Sequence, residues 1–183
     1  MGVWIVLGVL VVIVFLLIGM YNSLVQLRVR ADNAWSDIDI QLKRRHDLIP
    51  NLVETVKGYA SHEKGTFENI AKFRSMAMQA TGPVDKAAAE NQLSGALKSL
   101  FAVAENYPQL KANENFLKLQ NRISELEERI ADRREFFNDD VNTYNTRIRQ
   151  LPEVFLANLM ALRPREFFKV SEDDRKLVEV KLT

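Results

Sequence analysis

The side chains best able to do chemistry crowd together between positions 37 and 51: Asp37, Asp39, Lys43, Arg44, Arg45, His46, Asp47 and Asn51. An imidazole beside carboxylates could move protons. Imidazole with carboxylate also suits zinc or iron, and His62-Glu63 would offer a second pair of donors. Spacing argues against one shared metal site, because His46 and His62 stand 16 residues apart. That is ~24 Å along a continuous helix, whereas zinc ligands must approach to ~2 Å. Neither histidine has a Gly-x-Ser-x-Gly elbow to serve, and no glycine-rich phosphate loop is present.

The same residues also read as helix surface. Asp39 and Lys43, Lys43 and Asp47, and Asp47 and Asn51 are i,i+4 pairs, which support a helix one turn at a time. Pro50 lacks the amide that would bond the carbonyl one turn earlier, so that carbonyl calls for a side-chain donor. The cluster therefore reads as structural or partner-binding, with a ligand site as the rival. No catalytic residue, cofactor or metal is assigned.

The elements that hold this cluster are helical. The 183 residues contain seven glycines and five prolines, too little punctuation for a turn-rich β architecture. With no cysteine, disulfide scaffolds and thiol nucleophiles are excluded. With 25 Lys plus Arg against 24 Asp plus Glu, the chain offers no field for gripping nucleic acid.

Val3 to Met20 is an uncharged run of 18 residues, 14 of them Val, Ile, Leu or Phe. At ~27 Å it matches a bilayer core. A cleaved signal peptide would want a basic start, a shorter apolar stretch and a small-residue cleavage site. The run instead reads as an uncleaved, single-pass anchor, with Trp4 and Tyr21 as interfacial aromatics. Basic residues begin at Arg28 and Arg30, so the positive-inside rule puts the N-terminus outside and the following domain in the cytoplasm.

Beyond the anchor, apolar residues step at three and four. Trp35, Ile38, Leu42, Ile49, Leu52, Val56 and Tyr59 form the first stripe. Residues 21–80 are either one helix kinked at Pro50 or two helices divided near Gly58 and Ser61. Thr81-Gly82-Pro83 is a turn, and Asp85 is expected to cap a second helix carrying Leu93, Leu97, Leu100 and Ala104. Asn113 is expected to cap a third, ~38 residues long, on Phe116, Leu119, Ile123, Leu126, Ile130, Phe137, Val141, Tyr144, Ile148 and Leu151, with one position skipped. A short apolar helix follows over Glu153–Leu162. The expected fold is all-α: an N-terminal transmembrane helix, then a long-helix antiparallel bundle. Its parts are an anchor over 1–22, a bundle over 23–162 and a charged tail over 163–183.

With these motifs placed, the stretch Ala34-Trp35-Ser36-Asp37-Ile38-Asp39-Ile40-Gln41-Leu42-Lys43-Arg44-Arg45-His46-Asp47-Leu48-Ile49-Pro50-Asn51-Leu52-Val53 closely resembles the signature of the LemA family of bacterial membrane proteins. Gly58-Tyr59-Ala60, His62-Glu63, Tyr107 to Asn113, Phe116 to Gln120 and Tyr144-Asn145 extend the resemblance. Phe136-Phe137-Asn138 departs from an expected aromatic-Tyr-Asn pattern. The resemblance implies an anchored helical domain in the bacterial inner membrane, without established enzymatic activity and with a loose link to membrane organelles. The expected function is a non-catalytic, membrane-anchored scaffold that organises membrane or membrane-protein partners. The alternative is a sensor or adaptor for an integral membrane enzyme or an exported peptide. Expected partners are the lipid bilayer and further copies of the chain, because the aromatic residues exceed what three unequal helices bury. Phe136 and Phe137 are the interface candidates.

Overall fold

The computed structural model describes residues 1–168; the expected tail beyond Phe168 lies outside them. Helix α1 (Gly2–Lys57) continues unbroken from the apolar run through the motif and past Pro50. It ends at Lys57 because Gly58 and Tyr59 turn the chain, and Tyr59 N donates to Val56 O at 3.0 Å. The two-helix reading of residues 21–80 is thus the one realised. Then come α2 (Lys64–Gln79), α3 (Gly82–Ala104), the single turn α4 (Pro108–Lys111), α5 (Glu114–Arg147) and α6 (Glu153–Leu159). Among the described residues there is no strand.

The two expected helix caps fare differently. Asn113 caps α5 as its side chain suggests, its Oδ1 accepting from Phe116 N at 3.0 Å. Asp85 does not cap α3. That helix begins a turn earlier at Gly82, whose φ of 78° a glycine adopts without strain. Pro83 follows in the first turn, where its missing amide costs nothing, and Asp85 sits inside that turn with its charge toward the helix's positive end.

The chain divides into two units, and the division falls within both long helices. One unit comprises residues 1–37 and 135–166. Its α1 and α5 segments run antiparallel: Ser23 meets Arg147, Arg30 meets Asp140, and Trp35 meets Phe137 at a ring separation of 5.4 Å. Leu24, Tyr144, Ile148 and Ala157 form its apolar cluster. Residues 3–18 of α1 lie exposed along their whole length, and this is a helix long and apolar enough to cross a membrane.

The other unit holds residues 38–134 with Phe167 and Phe168. Its contacts fix the helix directions. Asp39 meets Lys86 and Arg45 meets Glu90, so α1 and α3 run the same way. Lys57 lies over Phe67 while Arg74 reaches His46, so α2 runs against α1. Asn91 meets Arg134 and Phe101 meets Phe116, so α5 runs against α3. The result is an up-down-up-down bundle around Ile49, Leu52, Val56, Ile70, Leu93, Leu97, Leu100 and Ile123.

Candidate functional site

In the first apolar stripe, Leu42 is followed by a gap of seven residues before Ile49. Arg45 fills that gap. At 3 and 4 residues from its apolar neighbours it points into the core, and it is fully buried. Its guanidinium forks between two carboxylates: NH2 donates to Glu90 on α3, and NH1 to Glu127 on α5. NH1 also donates to Ser94 Oγ at 2.8 Å, and that hydroxyl lies 3.3 Å from both oxygens of Glu127. His46, also buried, sets Nε2 3.1 Å from Glu90 Oε1.

This arrangement couples three helices through one planar cation. Glu90 is completely enclosed, so burial pushes its carboxyl up. The His46 hydrogen bond and the Arg45 charge outweigh that and hold it below the usual carboxylate range. Glu90 is thus a carboxylate wrapped by side chains of its own chain. Ser94 and Glu127 alone reach an opening. They line a groove of about 520 Å³ between α3 and α5, together with Asn91, Lys98, Phe101 and Arg134.

Pro50 explains a second contact. Its missing amide frees the carbonyl of His46, and Arg74 Nε on α2 donates to that oxygen at 2.9 Å. The side-chain donor expected there exists, but it comes from another helix instead of from the motif itself. Of the expected i,i+4 pairs, Lys43 with Asp47 forms at 2.8 Å, and Lys43 holds the Asp47 carboxyl low. Asp39 instead reaches Lys86 at 2.5 Å, and the Asn51 carbonyl accepts from Thr55 Oγ1 at 2.8 Å. Arg44, Asp37, Pro50 and Asn51 are exposed, while Trp35 is half-buried. His62 is exposed in the α1–α2 turn, so the structure does not bring it to buried His46. Among the described residues no three His, Cys, Asp or Glu side chains converge to hold a metal ion.

The remaining motif residues are clamps as well. Asn113 caps α5 with its oxygen and donates from Nδ2 to Tyr59 OH at 3.0 Å, tying the α1–α2 turn to the start of α5. Asn145 pairs in both directions with the backbone of Arg165, at 2.8 and 2.9 Å, and Tyr144 OH donates to the carbonyl of Arg163 at 3.2 Å. Residues 163–166 are therefore pinned to α5. Phe168, in the other unit, is buried with Arg134 over its ring at 4.6 Å.

The interface candidates divide. Phe137, expected to be available to a second copy, is enclosed at 2% exposure against Trp35; its place on the apolar stripe of α5 buries it. Phe136, one residue off that stripe, is 59% exposed.

The sequence profile of the LemA family matches residues 34–182. The chain belongs to the LemA family. This LemA-family chain is similar to magnetosome protein MamQ 2 of Paramagnetospirillum magneticum, 27% identical over 192 residues that cover 90% of this chain and 71% of the relative. It is similar also to magnetosome protein MamQ of Magnetospirillum gryphiswaldense, 25% identical over 87% of this chain and 68% of that one. Protein LemA of Metamycoplasma hominis is 27% identical over 88% of this chain and 74% of its own length. In this LemA chain, then, the family signature folds into the helix that carries Arg45 and His46 into the core.

Proposed function

We propose that the protein is a non-catalytic, membrane-anchored scaffold that assembles with copies of itself and organises membrane or membrane-protein partners. One observation supports this most: the charged side chains that enter the core are turned toward one another, Arg45, Glu90, Glu127 and His46 pairing across three helices. What remains outward is the apolar span and a mixed-charge helical surface. The MamQ relatives are magnetosome proteins by name, which fits a role in organising a membrane patch.

In this reading the span crosses the bacterial inner membrane once, with the N-terminus outside and the helical domain in the cytoplasm, following the basic residues after the span. Identically oriented anchors confine the chains to one plane, where repeated contacts close naturally into rings. Single-cysteine variants test the orientation, because the natural chain has no cysteine. Ser23→Cys should resist an impermeant thiol reagent in intact cells and Gly2→Cys should react; the opposite pattern would overturn it.

The groove between α3 and α5 favours a second reading, an adaptor that receives a peptide or a membrane enzyme. A different protein co-purifying in fixed stoichiometry, and lost on Ser94→Trp, would select it over the scaffold.

A further inference from the structure

Phe155 and Leu159 stand one turn apart on α6, and Leu151 precedes them by another four residues. They are 71%, 83% and 73% exposed. The opposite face of α6 is packed: Leu156, Ala157 and Met160 join Leu24, Leu27, Tyr144 and Ile148 in one cluster, and buried Glu153 meets Arg147 at 2.8 Å. The short helix is therefore fixed against residues 24–27 of α1.

That position sets its depth. Leu24 and Leu27 lie four and seven residues beyond Met20, or ~6 and ~10 Å along the helix axis. A headgroup layer is roughly 5–8 Å thick outside the hydrocarbon core. A helix held against Leu24 and Leu27 thus lies at the outer part of the headgroup layer, with the layer within side-chain reach, when the span crosses a bilayer, and three bulky apolar residues are exposed there. Arg28, Arg149 and Arg163 of the same unit are exposed, which matches anionic headgroups. Three side chains present at most roughly 600 Å², less than the ~800 Å² per partner of a stable protein interface.

We propose that α6 is a second membrane contact, with Leu151, Phe155 and Leu159 inserted into the headgroup layer of the leaflet the anchor enters and the exposed arginines against anionic lipid. The occupant of this face is lipid. The contact fixes the tilt of the unit against the bilayer, which the length of one span alone does not set. It rests on the span crossing a membrane, and the test separates the two ideas.

Full-length single-cysteine variants Phe155→Cys, Leu159→Cys, Leu10→Cys and Asn33→Cys are labelled with an environment-sensitive fluorophore. They are reconstituted in phosphatidylcholine–phosphatidylglycerol vesicles carrying a quencher high on the acyl chain. Leu10 reports the anchor; Asn33, exposed and ~20 Å beyond Met20, reports the aqueous side. The expected result is quenching at 155 and 159 at least about twofold above that at 33, as for an interfacial helix, and weaker when phosphatidylglycerol is omitted. Quenching at 10 with none above the Asn33 level at 155 and 159 would overturn the α6 contact and leave the anchor standing. A blue-shifted but unquenched label at 155 would assign the face to protein and overturn it equally. An unquenched label at 10 would overturn the anchor, and this contact with it.

Discussion

Replacing Arg45 by Met removes the counter-charge that Glu90 and Glu127 share, while keeping length and packing volume. Glu90 is fully enclosed and would stay buried with His46 as its remaining partner, whereas the Glu127 side chain is 34% exposed and can turn to water. Breaking one side of a buried ion pair costs about 3–5 kcal/mol, most of it the stranded charge. For a chain of this size each kcal/mol shifts Tm by roughly 2–4 °C, so the loss is on the order of 6–20 °C. Urea unfolding of the full chain in mild detergent, followed by far-UV circular dichroism, reads the change directly. The variant Arg45→Met/Glu90→Gln tests the cause, since a neutral amide removes the stranded charge and should recover about half of the loss or more. The penalty should also shrink in acid, where the stranded carboxylate takes up a proton. The reasoning fails if Arg45→Met costs less than ~1 kcal/mol, or if the double variant is no more stable than the single one.

Because the folded state holds the Glu90 carboxyl low, its contribution is present above the unfolded value of ~4.3 and lost as pH falls through the lower folded value. Denaturation midpoints should therefore fall below about pH 4.3 in the wild type and fall less steeply in Glu90→Gln; parallel profiles would contradict this. Arg74→Ala should cost about 1–3 kcal/mol by stranding the His46 carbonyl. In Pro50→Ala the restored amide serves that carbonyl, so a double-mutant cycle should show the Arg74 penalty largely gone, and simple additivity would refute the link. Asn145→Leu removes both backbone bonds to Arg165 and should bring faster proteolysis near residue 165 and faster exchange of its amide, with α5 intact; unchanged protection would show that the clamp is dispensable.

The helical class and the apolar faces were legible because period three-and-four spacing persists over long stretches, whereas the break after Lys57 and the start of α3 were not. The buried charges are the interruptions in that spacing. Arg45 occupies the seven-residue gap between Leu42 and Ile49, and Arg134 occupies the skipped position between Ile130 and Phe137. Glu90 sits one turn before Leu93 on the same face. A charged residue on an apolar stripe, repeated on three helices, is the signal that could have marked them. Their pairing could not be read in advance, because positions 45, 90 and 127 meet only after three helices have packed. On α5 neighbouring carboxylates differ: Glu128 is exposed, whereas the side chain of Glu127 turns toward Arg45. The start of α3 at Gly82, a turn before Asp85, follows from a backbone freedom that only the glycine has.

Assembly is the central claim, and the native mass of the full chain in several mild detergents, with crosslinking in membranes as a check, tests it most directly. Self-assembly predicts one defined multiple of the 21.0 kDa chain, reduced to smaller species by Phe136→Ser while the helical signal persists. A wild-type protein that runs as a monomer in each detergent and does not crosslink in membranes would contradict it.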